Sequence, residues 1–253
     1  MDIQRKKVCL DPGHDAGNLA NKSPDGVYYE HEFALDMGKR LQTLLTEQGI
    51  SVTMTRRGGE EVSLARRCEI ANKIDDLDLF VSLHSNAAGG SGWSSARGWS
   101  LYLYGAGGAR EEAAQGIFAQ VKAAGVVMRA NPLVYDSELY VLRHTRAPAV
   151  LIEHGFHTNQ EEVRLLEQAE YREKLAKAEA KGIVEYLGIS GNEEGDEMEK
   201  TPAQIEVDSA VQWMTDNQIM LGNTEGDLML EQPLTRLQYA VMEYRRAKLE
   251  GRV

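Results

Sequence analysis

Three segments of this 253-residue chain put metal-binding or acid–base groups where a β-like run gives way to a loop. The first is Asp11-Pro12-Gly13-His14, an imidazole directly after a short run of strand formers. The second is His84 in Ser82-Leu83-His84-Ser85-Asn86-Ala87, at the end of an apolar run. The third is Glu153 in Val150-Leu151-Ile152-Glu153-His154-Gly155-Phe156. A further acid, Glu30, stands just before a helical stretch, where an anionic side chain also suits the helix N-terminus. In an open α/β sheet, ligands bind outside the carboxyl ends of the strands. Imidazoles and carboxylates gathered there are the material of a hydrolytic zinc site. Each residue also has a plainer reading, the histidines as hydrogen-bonded loop residues and the acids as caps or solvated ends. The spacing is long-range, and no compact His-Glu-x-x-His signature decides between the readings.

The elements that would position these groups alternate along the chain. Lys7–Asp11, Ser51–Thr55, Leu79–His84, Trp99–Tyr104 and Ala147–Glu153 read as strands. Between Glu32 and Gln48, Phe33, Met37, Leu41, Leu44 and Leu45 recur at helical spacing, and Gly49 suits the cap. Helices are also expected over Ser63–Ile74, Ala109–Ala124 and most of Gln160–Leu187. Strands alternating with helices predict an α/β fold, a mostly parallel sheet flanked by helices on both faces.

Composition removes several functional classes. A net charge of −11 argues against nucleic acid as the main partner, which needs a basic face. No apolar run approaches the ~20 residues of a membrane span. Two cysteines, Cys9 and Cys68, make no disulfide scaffold and point to synthesis in a reducing compartment. At the N-terminus, Asp11-Pro12-Gly13 interrupts the apolar stretch that would follow Lys6-Lys7 in a secretory signal. The expectation is a chain without its own Sec-type signal.

With these segments in order, residues 6–189 resemble the zinc-dependent N-acetylmuramoyl-L-alanine amidases of the amidase-3 family. The resemblance rests on Leu10–His14, Glu30 five residues before Leu35, Thr53–Arg56, Val62–Arg66 leading to Ala71-Asn72, Asp78–Ala87, Tyr140–Arg143 and Pro148–Phe156. It implies that His14, Glu30 and His84 hold one Zn²⁺ and that Glu153 is the catalytic acid/base. The reaction implied is cleavage of the amide between N-acetylmuramic acid and L-alanine of the peptidoglycan stem peptide. Glu32 is the competing ligand, disfavoured by the register counted back from Leu35. His31, His144, His154 and His157 are read as non-ligands, and Cys9 as a small buried core residue. Asn86 and Arg143 are candidate substrate contacts. Asp15 stands where relatives often have Gly, and His157-Thr158-Asn159 replaces a commoner Ile-Ser-Asn; neither removes a metal or catalytic group.

Residues 190–202 are acidic, contain Gly and Pro and are almost devoid of apolar residues, as expected of a linker. Beyond them, 203–253 offer two capping boxes, Ser209-x-x-Gln212 and Thr235-x-x-Gln238, with an apolar face behind each. Ala210–Trp213, Ile219–Gly222, Gly226-Asp227 and Leu234–Arg236 resemble a single S-layer-homology module, which implies a small helical domain for wall binding or homo-oligomerisation. A wall substrate and no export signal together predict a phage endolysin, held in the host cytoplasm until release. An autolysin of the sporulating mother cell is the second expectation, and a catalytically dead wall-binding protein the third. Met198 follows Glu193-Glu194-Gly195-Asp196-Glu197, whose codons can spell a ribosome-binding sequence. An internal start there would release the second module alone, although linker composition by itself also accounts for these residues.

Overall fold

A computed structural model describes residues 5–189. The linker, the C-terminal module and Met198 lie outside the described residues. In chain order the elements are β1 (Lys7–Pro12), α1 (Glu30–Glu47), β2 (Ser51–Met54), α2 (Leu64–Asn72), β3 (Leu79–Asn86) and β4 (Trp99–Leu103). They continue with α3 (Ala109–Ala123), β5 (Met128–Tyr135), α4 (Tyr140–His144), β6 (Ala149–Phe156), α5 (Gln160–Leu166) and α6 (Ala169–Tyr186). The six strands form one sheet in the order β2-β1-β3-β6-β4-β5.

Residues of alternate parity divide the sheet into two faces. Val8, Leu10, Val81, Leu83, Val150, Ile152, Trp99 and Leu101 face α1, α3 and α6 in the larger core. Cys9, Phe80 and Leu151 face α2 and α4, where they meet Cys68, Ala71, Val141 and Leu142. The helical spacing in α1 does its expected work: Phe33, Met37, Leu41 and Leu45 are fully buried. Each contributes about 1.5–3 kcal/mol of apolar transfer. Ser63 caps α2 by accepting from the Arg66 N–H at 3.2 Å.

Three features differ from the sequence expectation. β5 and α4 were not anticipated; β5 contains Asn131-Pro132 and is half-exposed, so it lacks the apolar run of a buried strand. The stretch 160–187 is two helices, because Asn159 caps α5 and the chain turns at Glu167-Gln168 before α6. β4 runs antiparallel to β6 while the pairs β1/β2, β1/β3, β3/β6 and β4/β5 are parallel. The chain reaches β4 through residues 87–98, which contain no helix, so no crossover returns it to the common direction.

Candidate active site

His14, Glu30 and His84 converge at the carboxyl edge of the sheet, with one potential ligand atom from each lying within 4.8 Å of the others. Glu30 Oε1 is 2.8 Å from His84 Nδ1 and 3.2 Å from His14 Nε2. The two imidazoles meet edge to face, centroids 4.9 Å apart. Gly13 permits this approach, since a Cβ there would fall 2.2 Å from the His84 ring. Glu30 is the first residue of α1 rather than a residue before it, and is buried; Glu32 is exposed. Burial pushes the Glu30 carboxyl up, but hydrogen bonds from His14 and His84 pull it further down, to about 2. The Ser85 backbone N–H also donates to Glu30 Oε1, at 3.1 Å. An ionised carboxylate between two imidazoles is a donor set that suits Zn²⁺.

The main chain carrying His14 is held from below by two buried arginines. His14 itself sits at φ +56°, a region costly for a residue with a side chain. Arg67 donates to the carbonyls of Pro12 (2.5 Å) and His14 (2.6 Å) and to Asp11 Oδ1 (2.7 Å). Arg56 donates to the carbonyls of Pro12 (2.9 Å), Gly13 (2.8 Å) and His31 (2.7 Å). Thr55 and Ser82 hydroxyls complete the coordination of the Asp11 carboxylate. Every carbonyl from Pro12 to His14 therefore has an arginine donor, which over-determines the strained turn.

Glu153 stands beside this cluster by strand register. It pairs with His84 in the parallel ladder of β3 and β6 and with Ser100 in the antiparallel ladder of β4 and β6. Register partners share a face, so His84, Glu153 and Ser100 all project to one side. The Glu153 residue retains some exposure, but its Oε2 is buried and without a hydrogen-bond partner. Burial pushes its carboxyl up to about 8, with Glu30 adding to the shift and His84 and Arg129 opposing it. A carboxyl poised there can take or give a proton near neutral pH.

The remaining histidines have other work. His154 points to the opposite face from Glu153, where its Nδ1 lies 2.7 Å from the His84 carbonyl and its Nε2 3.0 Å from Glu179. Trp99 Nε1 donates to the same carboxylate at 3.2 Å. His157 stacks on Tyr28, and its Nδ1 lies 3.0 Å from the Ser85 hydroxyl; burial pulls its pKa down. His31 is buried beneath Tyr29, and His144 is exposed against Tyr140. Cys9 is buried in the core, its thiol pushed up to about 12 by burial. Asn86 lines a cleft of about 620 Å³ together with Tyr102, Arg129 and Phe156. Arg143 is exposed on α4 and is not among the cleft-lining residues. Arg129 was missed from the sequence because β5 gave no strand signal to place it; Tyr102 lies on the expected strand Trp99–Tyr104, but no local signal marked it as a cleft residue. Arg67 was missed because it stands one residue past the Val62–Arg66 block.

The sheet and this site together define a mostly parallel α/β protein with a His/Glu/His group beside a buried carboxyl. The model of the N-acetylmuramoyl-L-alanine amidase family, Amidase_3, matches residues 8–185. The amidase CwlM of Bacillus licheniformis is 29% identical over 188 residues, covering 74% of this chain and 70% of that protein. The endolysin of Bacillus phage SPP1 is 32% identical over 190 residues, covering 73% and 67%. Among solved structures, the catalytic domain of the Paenibacillus polymyxa amidase CwlV superposes with a TM-score of 0.66 at 28% identity, covering 73% of this chain and 99% of that one. The chain belongs to the N-acetylmuramoyl-L-alanine amidase family and is a peptidoglycan hydrolase.

Proposed function

We propose that this amidase is zinc-dependent, with His14, Glu30 and His84 as ligands and Glu153 as the catalytic acid/base. The observation that carries the proposal is the meeting of two imidazoles and one ionised carboxylate beside the unpartnered Glu153 Oε2. Zn²⁺ held there supplies a Lewis acid that polarises the scissile carbonyl and lowers the pKa of water to about 7. Glu153 takes the proton of the attacking water and returns it to the leaving amine of L-alanine. Asn86, in the cleft, and Arg143, on α4, remain candidate contacts to the substrate. Metal analysis of the purified protein and mass spectrometry of digested walls test the proposal together. New N-terminal alanine, dependent on zinc and without new reducing sugar ends, is the expected result; activity that survives complete chelation would overturn it.

We further infer an endolysin role, supported by the 32% identity to the SPP1 protein. The second reading is a sporulation amidase, supported by a sporulation-specific amidase of Bacillus subtilis at 31% identity over 186 residues. Expression during phage lysis or during sporulation separates the two. Residues 1–189 are proposed as the catalytic domain, 190–202 as a linker and 203–253 as a module for wall binding or self-association.

A further inference from the structure

We propose that Arg129 is the anchor for a carboxylate of the stem peptide, in a subsite of the cleft lined by Asn86, Tyr102 and Phe156. This rests on the assignment of Glu153 as the reacting acid/base. Arg129 is fixed from two sides. Its Nη1 donates to the Tyr102 hydroxyl at 2.8 Å, and its guanidinium lies 5.7 Å from the Phe156 ring centroid. Asn86 Nδ2 reaches the same hydroxyl at 3.5 Å, so the three polar side chains lining this wall of the cleft form one chain. A guanidinium carries five N–H donors, and a single protein hydrogen bond uses one of them. Among the described residues, no carboxylate lies within ion-pair distance of Arg129. Arg97, which lines the same cleft, is already paired with Glu161 at 3.4 Å. A half-buried, preoriented cation with its donors unspent is a receptor for a planar anion.

The substrate narrows the choice of anion. The lactyl carboxyl of muramic acid is consumed in the scissile amide, and N-acetylated sugars are neutral. Carboxylates near the cut therefore belong to the peptide. Distance agrees: β5 is two strands from β6 in the sheet. That is roughly 10 Å at ~4.8 Å per strand, the span of about two extended residues at ~3.4 Å each plus the reach of an acidic side chain. The peptide would leave the metal cluster across β4 and present its acidic group to Arg129.

The test uses the full chain and two muramyl peptides that differ only at the residue after L-alanine, one with a free carboxylate and one with its amide. The expected result is a 10–100-fold higher kcat/KM for the carboxylate, carried mainly by KM. Arg129→Gln is expected to abolish the preference, read as the ratio of the two kcat/KM values, with its zinc content unchanged; Arg129→Lys is expected to keep part of the preference. Competition of wild-type cleavage by the free dipeptide or by its amide gives the same comparison without any variant. Equal handling of both peptides by the wild type, or an undiminished preference in Arg129→Gln, would overturn the subsite. A wall-polymer phosphate as the true anion would show as a loss of rate on phosphate-stripped walls that Arg129→Gln does not suffer, and would also overturn it. If Glu153→Gln instead cleaves at the wild-type rate, the assignment of Glu153 fails, while the peptide comparison still reads Arg129 directly.

Discussion

Glu153 and His154 are neighbours in sequence with opposite surroundings, and their fates follow from that. Strand alternation turns Glu153 to the face shared with His84 and Ser100 and His154 into the layer beneath, against Glu179. Glu153→Gln is expected to retain zinc and lose most of the rate, since general acid–base groups contribute roughly 10²–10⁴-fold. If the change empties the site of zinc, Glu153 is a ligand. The same variant has a stability signature in the metal-free protein. The Glu153 carboxyl is raised from its ordinary 4.5 to about 8, so folding favours its protonated form. That contribution is complete below about pH 4.5 and is lost as pH rises through about 8. Metal-free Glu153→Gln is therefore expected to melt higher than metal-free wild type at pH 9 and with little difference at pH 5. Zinc bound at the proposed site is expected to narrow the gap by stabilising the carboxylate. A pH-independent difference in melting temperature would contradict the burial argument. His84→Ala, which removes one of three proposed ligands, is expected to lose both zinc and lysis; full metal content by plasma mass spectrometry would remove His84 from the set.

At the scale of elements, the ligand loop after β1 and the crossing of α3 with α6 are both close approaches, and each depends on a residue without a side chain. A Cβ at Gly182 of α6 would lie 2.5 Å from the Ile117 Cα and 2.8 Å from the Gly116 carbonyl of α3. In an exposed helix, Gly→Ala gains up to about 1 kcal/mol; here the helices must separate, and overpacking of this kind costs roughly 1–3 kcal/mol. Gly182→Ala is expected to lower the melting temperature by several degrees, and an unchanged or higher value would show that the two helices yield freely. The displacement would also reach the site. Glu179, three residues earlier on α6, holds His154, which in turn meets the His84 carbonyl.

For the whole molecule, the proposed end of the catalytic domain falls just past residues that still pack on the core. Leu187 is buried against the larger core and Ile189 packs on it, after which the sequence turns acidic and nearly devoid of apolar residues. A protein ending at Ile189 is expected to fold and bind zinc with a melting temperature close to that of the full chain. It is expected to be smaller in assembly by light scattering and to bind intact walls less. Equal assembly state and equal wall binding would leave residues 203–253 without the role proposed for them.

The residues that the structure gathers were legible in the sequence as candidates because each sits at a strand end or helix start that has its own local signal, and the family resemblance chose among them. Apolar runs stop at His84 and Glu153, Pro-Gly precedes His14, and the spacing of Phe33, Met37 and Leu41 locates the helix that Glu30 opens. Local periodicity also sufficed for the fold class, since burial of a strand or helix face leaves a repeat of two or 3.6 residues. What lay beyond it was everything set by pairing between distant segments. The antiparallel β4, the register that puts Glu153 beside His84, the arginines under His14 and the placement of Arg129 over the cleft depend on contacts 27 to 70 residues apart in the chain. A half-exposed strand such as β5 has no face that must alternate, so nothing in its composition announces it. Only the assembled sheet decides which side chains share an edge, and the active site is a property of that edge.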